Sequence, residues 1–261
     1  MTRWLRMLLL PFLCLPLLVT RPLPIRSQTP RLTVTVINVG QGDAILVKFP
    51  TGEEMLIDAG VPDKDISQRL IAYLRPRIKP PIEIVVVTHP DNDHIGGMPA
   101  VLRAFGARQV WESGAKHNIG AQRGLNAYLK RAGLSPVFPR CDDPKTKHRN
   151  IGKVGIDVLA PRRGFMAALL RDAPDDRNNS SIVLRLSYGQ VSMLLTGDME
   201  KAEREDIRHW PASTFLKVAH HGSYTGTDSA YMDAIFPKDA GGQKIAAISL
   251  GYGNGYFHPH G

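Results

Sequence analysis

The sequence predicts a mixed α/β domain, and three observations support this. From Arg31 onward, short apolar runs alternate with segments of helical periodicity. No internal repeat or low-complexity linker interrupts residues 32–261, so a single domain is expected at residues 31–261. The predicted strand ends carry polar residues, which fits an α/β architecture with a site at one edge of its sheets.

Residues 1–30 are distinct from this domain. Arg3 and Arg6 precede the uninterrupted apolar run Met7–Val19, which fits a signal-peptide core better than a membrane-spanning helix of ~20 residues. No small-x-small cleavage motif follows the run. We therefore expect a signal peptide or an uncleaved membrane anchor, with a disordered N-terminus as the alternative. The domain itself is expected to be extracytoplasmic, either periplasmic or secreted.

The first three strands are predicted from apolar runs separated by glycine-containing turns. These runs are LTVTVINV (32–39), AILVKFP (44–50) and EMLIDAG (54–60). Helical periodicity follows at residues 65–74 and ends before Pro76, because proline cannot continue a helix. IEIVVVT (82–88) reads as a buried strand, and residues 98–105 as a short helix closed by Gly106.

The second half continues the alternation. Strands are expected at residues 108–113, 154–160, 181–189, 191–197, 215–221 and 244–251. Helices are expected at residues 121–132, 200–209 and 229–236. Residues 161–180, with their Pro, Asp, Arg and Asn content, are predicted to be one long irregular connection, and such loops often lie near ligands.

The formal net charge of +9 is unevenly distributed along the chain. Residues 1–31 hold five arginines and no acidic residue, so residues 32–261 carry only +4. A mildly basic domain is compatible with a polyanionic substrate and equally with an ordinary solvated surface. Cys14 and Cys141 are too few for a disulfide framework and have no zinc-finger spacing.

The stretch VVVTHPDNDHIGGM (85–98) places four potential metal ligands directly after a buried strand. They are His89, Asp91, Asp93 and His94. Side chains two apart in an extended segment can point the same way, as His89 and Asp91 would, while the other two fall on the following turn. A lone histidine is more often a core or surface residue, but this spacing predicts two adjacent metal positions.

This motif, H-x-D-x-D-H-x-G-G, resembles the H-x-H-x-D-H motif of the metallo-β-lactamase superfamily, with Asp91 in place of the middle histidine. Six further motifs are similar, in order, to the extracytoplasmic domain of ComEC-type DNA-uptake proteins. They are NVGQGDA (38–44), LIDAG (56–60), NNSSIVLRL (178–186), LLTGD (194–198), KVAHHGS (217–223) and SLGYGNGYFHP (249–259). The resemblance spans residues 32–259 and implies a four-layer αββα sandwich with a metal site at the strand ends.

The resemblance also implies the metal ligands. They would be His89, Asp91, Asp93, His94, Asp198 and His220. Asp198 would bridge two metal ions, although it could instead cap the helix expected near Glu200. Asn179 lies near where other relatives carry a histidine, so water could complete that metal position.

Other polar residues receive supporting roles. His258 would be a ligand or a proton donor, and Ser223 would orient a ligand histidine or form a turn. His221 is expected to face away from His220 and support the fold, and Asp58 to make a structural hydrogen bond. The remaining histidines have no motif context and are expected at the surface. They are His117, His148, His209 and His260.

A site of this kind would hold two divalent metal ions. The Asp91 carboxylate makes it harder and more anionic, which favours manganese while zinc stays possible. Two ions can activate a water molecule against a phosphodiester, with Asp93 orienting the water and His258 protonating the leaving oxygen. The resemblance therefore suggests a nuclease acting on DNA in a competence-type uptake system. The membrane channel typical of the family would then be a separate partner protein or part of a longer gene, or the domain would act as an independent secreted enzyme.

Two other functions stay open. One is a hydrolase of a lactam, lactone or thioester, which would use the same activated water on a carbonyl. The other is a catalytically inactive module that binds DNA or braces a channel, since Asn38 stands where the family usually has aspartate. Relatives continue past the H-P motif with another strand and helix, so a domain truncated at the C-terminus is expected.

Overall fold

The structure, a computed structural model, describes residues 30–239 and 241–260. The signal peptide or anchor expected in residues 1–30 lies, apart from Pro30, outside the described residues. Within the described part of the chain, no helix has the length and apolar character needed to cross a membrane.

Eleven strands form two sheets in the described residues. The strands are β1 (Thr33–Val36), β2 (Ile45–Lys48), β3 (Glu54–Ile57), β4 (Ile82–Val87), β5 (Ala107–Glu112), β6 (His148–Ile151), β7 (Val154–Ala160), β8 (Val183–Tyr188), β9 (Val191–Leu195), β10 (Phe215–Lys217) and β11 (Ile245–Ala247). The first sheet has the order β1-β2-β3-β4-β5 and the second the order β11-β10-β9-β8-β7-β6. Strands β3, β4 and β5 run parallel, as do β9, β10 and β11.

Helices connect and cover these strands. They are α1 (Lys64–Leu74), α2 (Asn92–Ile95), α3 (Met98–Phe105), α4 (Gly120–Ala132), α5 (Arg163–Asp172), α6 (Lys201–Asp206) and α7 (Ser229–Ile235). Helix α1 begins where the Asp63 carboxylate accepts a hydrogen bond from the Ile66 amide at 2.8 Å. Short 3-10 turns at Asn178–Ser180 and Ala219–Gly222 precede β8 and follow β10.

Three apolar layers hold the four structural layers together. Successive residues of a strand point to opposite faces, so Leu46 of β2 packs with helices α1, α3 and α4, while Val47 packs against the second sheet. On the far face of the second sheet, Leu216 of β10 packs with Tyr231 and Ile235 of α7. The order helix, sheet, sheet, helix confirms the expected αββα sandwich.

This topology brings chemistry-bearing residues to one edge. The parallel strands of each sheet end on the same side, and residues that follow β4, β9 and β10 leave the sheets there. Gly96 and Gly97 allow the next helix to approach closely, because a Cβ on them would lie 2.2 Å from Pro62 N and 2.3 Å from Ala59 O. The segment between β4 and α3 is therefore fixed tightly against the first sheet.

The prediction of an irregular connection at residues 161–180 is wrong. Residues 163–172 form helix α5, whose apolar centre buries Met166 and Leu169. The proline, aspartate and asparagine residues that suggested a loop lie at the two ends of the segment, outside this apolar centre. Strand β6 was not predicted either, because a polar edge strand shows no apolar alternation.

The last two predicted strands are shorter than expected. Strand β10 ends at Lys217, four residues early, because His220 and His221 take left-handed backbone conformations with φ of 45° and 52°. Strand β11 covers only Ile245–Ala247 of the predicted residues 244–251. The early end of β10 lets its histidines turn toward the strand ends of both sheets.

Candidate metal centre

Two carboxylates and two histidines converge at the common edge of the sheets. Four residues form this group, which we call the central cluster: Asp93, His94, Asp198 and His221. One ligand atom from each lies within 4.8 Å of all the others. Asp93 and His94 come from helix α2, while Asp198 follows β9 and His221 follows β10.

Asp198 lies at the middle of the central cluster. Its Oδ2 atom is 3.1 Å from His94 Nε2 and 3.1 Å from His221 Nε2. The Nε2 atoms of His94 and His221 are 3.4 Å apart, and Asp93 Oδ2 is 3.3 Å from His221 Nε2. Two imidazole nitrogens and two carboxylates turned inward are a donor set that fits a divalent cation.

Unpartnered buried atoms support the same conclusion. His89 is fully buried at the end of β4, and its Nε2 atom has no hydrogen-bond partner among the described residues. The Oδ1 atom of Asp198 is likewise buried without a described partner. Buried polar atoms are rarely left unpaired, so these two are suited to a bound ion or its water. The residues present therefore fit a divalent metal.

Asp58 orients His94 toward the centre. Its Oδ2 atom accepts a hydrogen bond from His94 Nδ1 at 2.8 Å, and Thr88 donates to the same carboxylate through its amide and its hydroxyl, at 2.8 and 2.6 Å. With Nδ1 engaged, Nε2 is the ring nitrogen that faces the cluster. The structural hydrogen-bond role predicted for Asp58 is confirmed, and it acts on a cluster histidine.

His221 is oriented in the same manner from another segment. Its Nδ1 donates to the carbonyl oxygen of Ser249 at 2.7 Å, which leaves Nε2 to face Asp198. Its left-handed backbone is unusual for a residue with a Cβ, and such conformations persist where surrounding contacts hold them. Ser249 Oγ in turn donates to Gly42 O at 2.7 Å, joining the C-terminal segment to the turn before β2.

A buried ion pair lies behind His221. Lys217 Nζ is 2.7 Å from Asp43 Oδ2, and both side chains are almost completely excluded from solvent. The other oxygen of Asp43 is 3.7 Å from His221 Nδ1. Lys217 also donates to the Val218 carbonyl at 2.9 Å. Asp43 belongs to the turn at residues 41–43 that precedes β2, which we call the QGD turn. The ion pair thus links the QGD turn to strand β10 directly behind His221.

The cluster is strongly coupled electrostatically. Burial lowers the pKa of His221, but the charge of Asp198 and hydrogen bonds to Asp198 and Asp93 outweigh burial and raise it to about 9. For Asp198, burial raises the pKa, but His94 and His221 hold it well below its usual range. Protonated histidines therefore balance the carboxylates here, and a metal ion that displaces these protons would supply the same positive charge.

Asp91 lies beside the central cluster in a more polar setting. It forms an ion pair with Arg177, and its Oδ1 is 3.3 Å from His117 Nδ1. Its Oδ2 is 3.9 Å from His89 Nε2, so the two side chains that were expected to point the same way do lie together. His117 was expected at the surface, but it is only partly exposed and contacts Asp91.

The positions of the two adjacent histidines are the reverse of those that the sequence suggested. His221, expected to face away and support the fold, belongs to the central cluster, so that expectation was wrong. His220, the predicted ligand, has its Nε2 4.0 Å from Asp198 Oδ2, and its Nδ1 is 2.8 Å from Glu200 Oε1. The paired left-handed residues turn the second histidine inward, a reversal that strand alternation does not reveal.

The remaining predicted residues surround the cluster. Asn179 is engaged on both sides, since its Oδ1 accepts from the Glu203 amide and its Nδ2 donates to Asp176, each at 2.9 Å. Ser223 Oγ is 2.9 Å from Thr225 Oγ1, which is 3.3 Å from His220 Nδ1.

His258 lies at the rim of the site. The centre of its ring is 5.3 Å from that of His220 and 6.2 Å from that of His221. Burial and the nearby charge of His220 lower the pKa of His258. The predicted late histidine therefore does lie next to the site.

The structure adds residues that motif matching did not assign to the site. They are Asp43, His117, Arg177, Lys217 and Ser249. Asp43 and Lys217 belong to motifs quoted above, so their positions in the sequence were available as a signal. Arg177 and His117 stand outside any recognisable spacing, and only the fold brings them to Asp91.

Comparison with known proteins gives one family match. The family model described as the Metallo-beta-lactamase superfamily matches residues 37–238. Among solved structures, a mutant metallo-beta-lactamase from Cronobacter sakazakii is 17% identical and has a TM-score of 0.44, covering 78% of this chain and 81% of that one.

Curated relatives match most of this chain. It is 29% identical over 248 residues to ComE operon protein 3 of Bacillus subtilis (strain 168), covering 87% of this chain and 29% of that protein. It is 26% identical over 230 residues to Competence protein ComA of Neisseria gonorrhoeae, covering 87% of this chain and 28% of that protein. The chain thus spans less than a third of the length of these relatives.

Proposed function

The chain belongs to the metallo-beta-lactamase superfamily of metal-dependent hydrolases, as its motifs predicted, and on this premise we propose that it hydrolyses phosphodiester bonds in DNA. The observation that carries the proposal is the convergence of Asp93, His94, Asp198 and His221 within 4.8 Å. Divalent ions bound to such a donor set activate water and neutralise charge that develops on a phosphoryl group.

Three features favour a phosphodiester over a carbonyl substrate. Asp91 replaces an imidazole by a carboxylate, which favours ions such as manganese that prefer oxygen ligands, with zinc as the alternative. Arg177 places a guanidinium beside Asp91, and guanidinium groups bind phosphate oxygens through paired hydrogen bonds. One of the relatives, Competence protein ComA of Neisseria gonorrhoeae, carries a name that refers to competence.

The chain's own residues would divide the work. His89 and Asp91 would complete a second metal position beside the central cluster, so that two ions are held. Asp93, on the exposed side of the cluster, would orient the attacking water. Arg177 would hold the phosphate, and His258, at the rim, would supply a proton to the leaving oxygen.

The proposed setting is a DNA-uptake system on the outer side of the membrane. A separate membrane channel protein would then be the partner, and residues 1–30 would direct or anchor the domain there. These parts of the proposal rest on the relative named as a competence protein and on the apolar N-terminal run.

One assay series tests the activity. The full chain is incubated with single-stranded DNA, with bis-p-nitrophenyl phosphate and with a β-lactam, each with Mn²⁺, with Zn²⁺ and with a chelator. We expect cleavage of both phosphodiesters that requires metal and is lost in Asp93→Ala but kept in Asp65→Ala, an exposed acidic residue on α1. Hydrolysis of the lactam alone would contradict the proposal, as would DNA that is bound but not cleaved with either metal.

A further inference from the structure

A cavity of about 330 Å³ lies next to the metal site, between the loop after β5 and the start of α4. Its walls include Glu112, Lys116, His117, Gln122, Arg123 and Phe138. Pockets that bind small molecules begin at roughly this size, at about 300 Å³. The cavity is therefore large enough for one unit of a substrate.

One residue belongs to both the cavity and the surroundings of the metal site. His117 lines the cavity, and its Nδ1 lies 3.3 Å from Asp91 Oδ1 and 3.2 Å from the Pro90 carbonyl oxygen. A polymer with one phosphodiester at the metal site would therefore have a neighbouring unit within reach of this cavity.

Hydrogen bonds hold the inner wall of the cavity in place. Gln122 is 8% exposed, and its Nε2 donates to Glu112 Oε2 at 3.1 Å and to Asn126 Oδ1 at 3.2 Å. These two bonds fix the orientation of the amide, so the inner wall of the cavity keeps its shape.

The rest of the lining is suited to a base and a phosphate. Phe138 is 47% exposed, so an aromatic face is available for stacking. Arg123 and Lys116 add two exposed cations. Stacking on aromatic side chains and contacts between cations and phosphates are how proteins bind single-stranded nucleic acids.

We infer that this cavity binds the nucleotide that flanks the scissile phosphodiester. The base would stack on Phe138, and its phosphate would contact Arg123 or Lys116. This inference rests on the proposed function and makes it more specific, because it assigns a preference for a strand whose bases are unpaired.

The test compares a nucleic acid with a small ester in the full chain. Substrates are a single-stranded oligonucleotide, an abasic oligomer of the same length and bis-p-nitrophenyl phosphate. We expect Phe138→Ala to raise KM for the oligonucleotide about tenfold, to have little effect on the abasic oligomer, and to leave the small ester unchanged. Phe138→Tyr should restore the KM because it keeps the ring, and Arg123→Gln should raise the KM for both oligomers.

Matched controls remove similar groups elsewhere. Leu170→Ala removes exposed apolar surface on α5, and Arg69→Gln removes an exposed cation on α1; neither should change any KM. The inference is overturned if Phe138→Ala and Arg123→Gln leave the oligonucleotide KM unchanged. It is also overturned if Phe138→Ala weakens the abasic oligomer as much as the base-bearing one.

A binding measurement separates this inference from the proposed activity. If the wild-type chain hydrolyses no phosphodiester, the proposed function fails. Fluorescence anisotropy with the labelled oligonucleotide and Ca²⁺ still measures binding of the oligonucleotide to the cavity. A loss of affinity of about tenfold in Phe138→Ala, absent with the abasic oligomer, would support the subsite. Equal affinities for wild type and variant would overturn it.

Discussion

Lys217 and Asp43 form an ion pair of 2.7 Å that is buried directly behind His221. Lysine is almost never fully buried unless it is paired, and here its partner comes from the turn that precedes β2. The pair joins strand β10 of the second sheet to the QGD turn of the first sheet. The position of a central-cluster histidine therefore depends on a charged contact between the two halves of the sandwich.

Replacing Lys217 with methionine should destabilise the fold strongly. The substitution leaves the Asp43 carboxylate buried without its cation, which typically costs about 3–5 kcal/mol of unfolding free energy. The double variant Asp43→Asn/Lys217→Met should lose much less than the sum of the two single variants. Urea unfolding of all four proteins measures this difference, and additive losses would show that the two side chains act independently.

Asp58 should control metal affinity without binding metal. Asp58→Asn replaces the carboxylate that accepts from His94 Nδ1, and removal of such a partner typically weakens metal binding about 10- to 100-fold. Asparagine tolerates the left-handed backbone of this position, where φ is 58°, so the backbone should not be disturbed. Equilibrium dialysis with Mn²⁺ measures the change, and Asp65→Asn serves as the surface control. Unchanged affinity in Asp58→Asn would mean that His94 needs no orienting partner.

The two adjacent histidines can be ranked experimentally. His221→Asn should reduce Mn²⁺ affinity by more than the roughly 10- to 100-fold loss that is typical when a residue behind a metal ligand is replaced. His220→Asn should reduce the affinity by less than about tenfold. The reason is geometric, since Asp198 Oδ2 is 3.1 Å from His221 Nε2 and 4.0 Å from His220 Nε2. Asparagine suits the left-handed backbone at both positions, so the variants are matched. The reverse ranking would favour the ligand assignment that the sequence suggested.

Glu203 should make the fold less stable as pH rises. Burial raises its pKa well above the ordinary 4.5, helped by Asp206 and Asp176 and opposed by Arg140. The folded protein therefore holds a proton that the unfolded chain releases, and stability falls by up to about 1.4 kcal/mol per pH unit between the two pKa values. The stabilising contribution is complete below pH 4.5 and disappears as pH passes through the folded-state pKa.

Glu203→Gln should flatten that dependence and stabilise the protein at neutral pH. Its matched control is Glu205→Gln on the same helix, where the side chain is 65% exposed and little change is expected. Urea unfolding at several pH values from roughly 5 to 8 measures how the unfolding free energy of each protein changes with pH. Equal slopes for wild type and Glu203→Gln would mean that Glu203 ionises normally in the fold.

Much of the architecture could be predicted because it depends on local pattern. The continuous apolar runs in 44–50 and 54–60 identify strands, and the structure shows that the two faces of these strands pack against different layers. The ligand-rich segment from His89 to His94 could be recognised because its residues are close in sequence. Helix α5 was missed because the polar residues at its ends hide a short apolar centre.

The details of the site depend on distant contacts and were harder to predict. Which of His220 and His221 faces Asp198 is decided by two left-handed residues, a conformation that residue type does not disclose. The approach of Arg177 to Asp91 joins positions that are 86 residues apart, and no spacing rule connects them. Asn179 likewise resembles a replaced ligand in the sequence, but its amide supports the start of α6.

The central claim is that the cluster around Asp198 holds a divalent ion. The most direct measurement is the number of Mn²⁺ or Zn²⁺ ions bound per chain after equilibrium dialysis, determined by mass spectrometry for the wild type and for Asp198→Asn. We expect about one ion or more per wild-type chain, and far less in the variant at the same free metal concentration. Wild-type protein that binds no more metal than Asp198→Asn would contradict it.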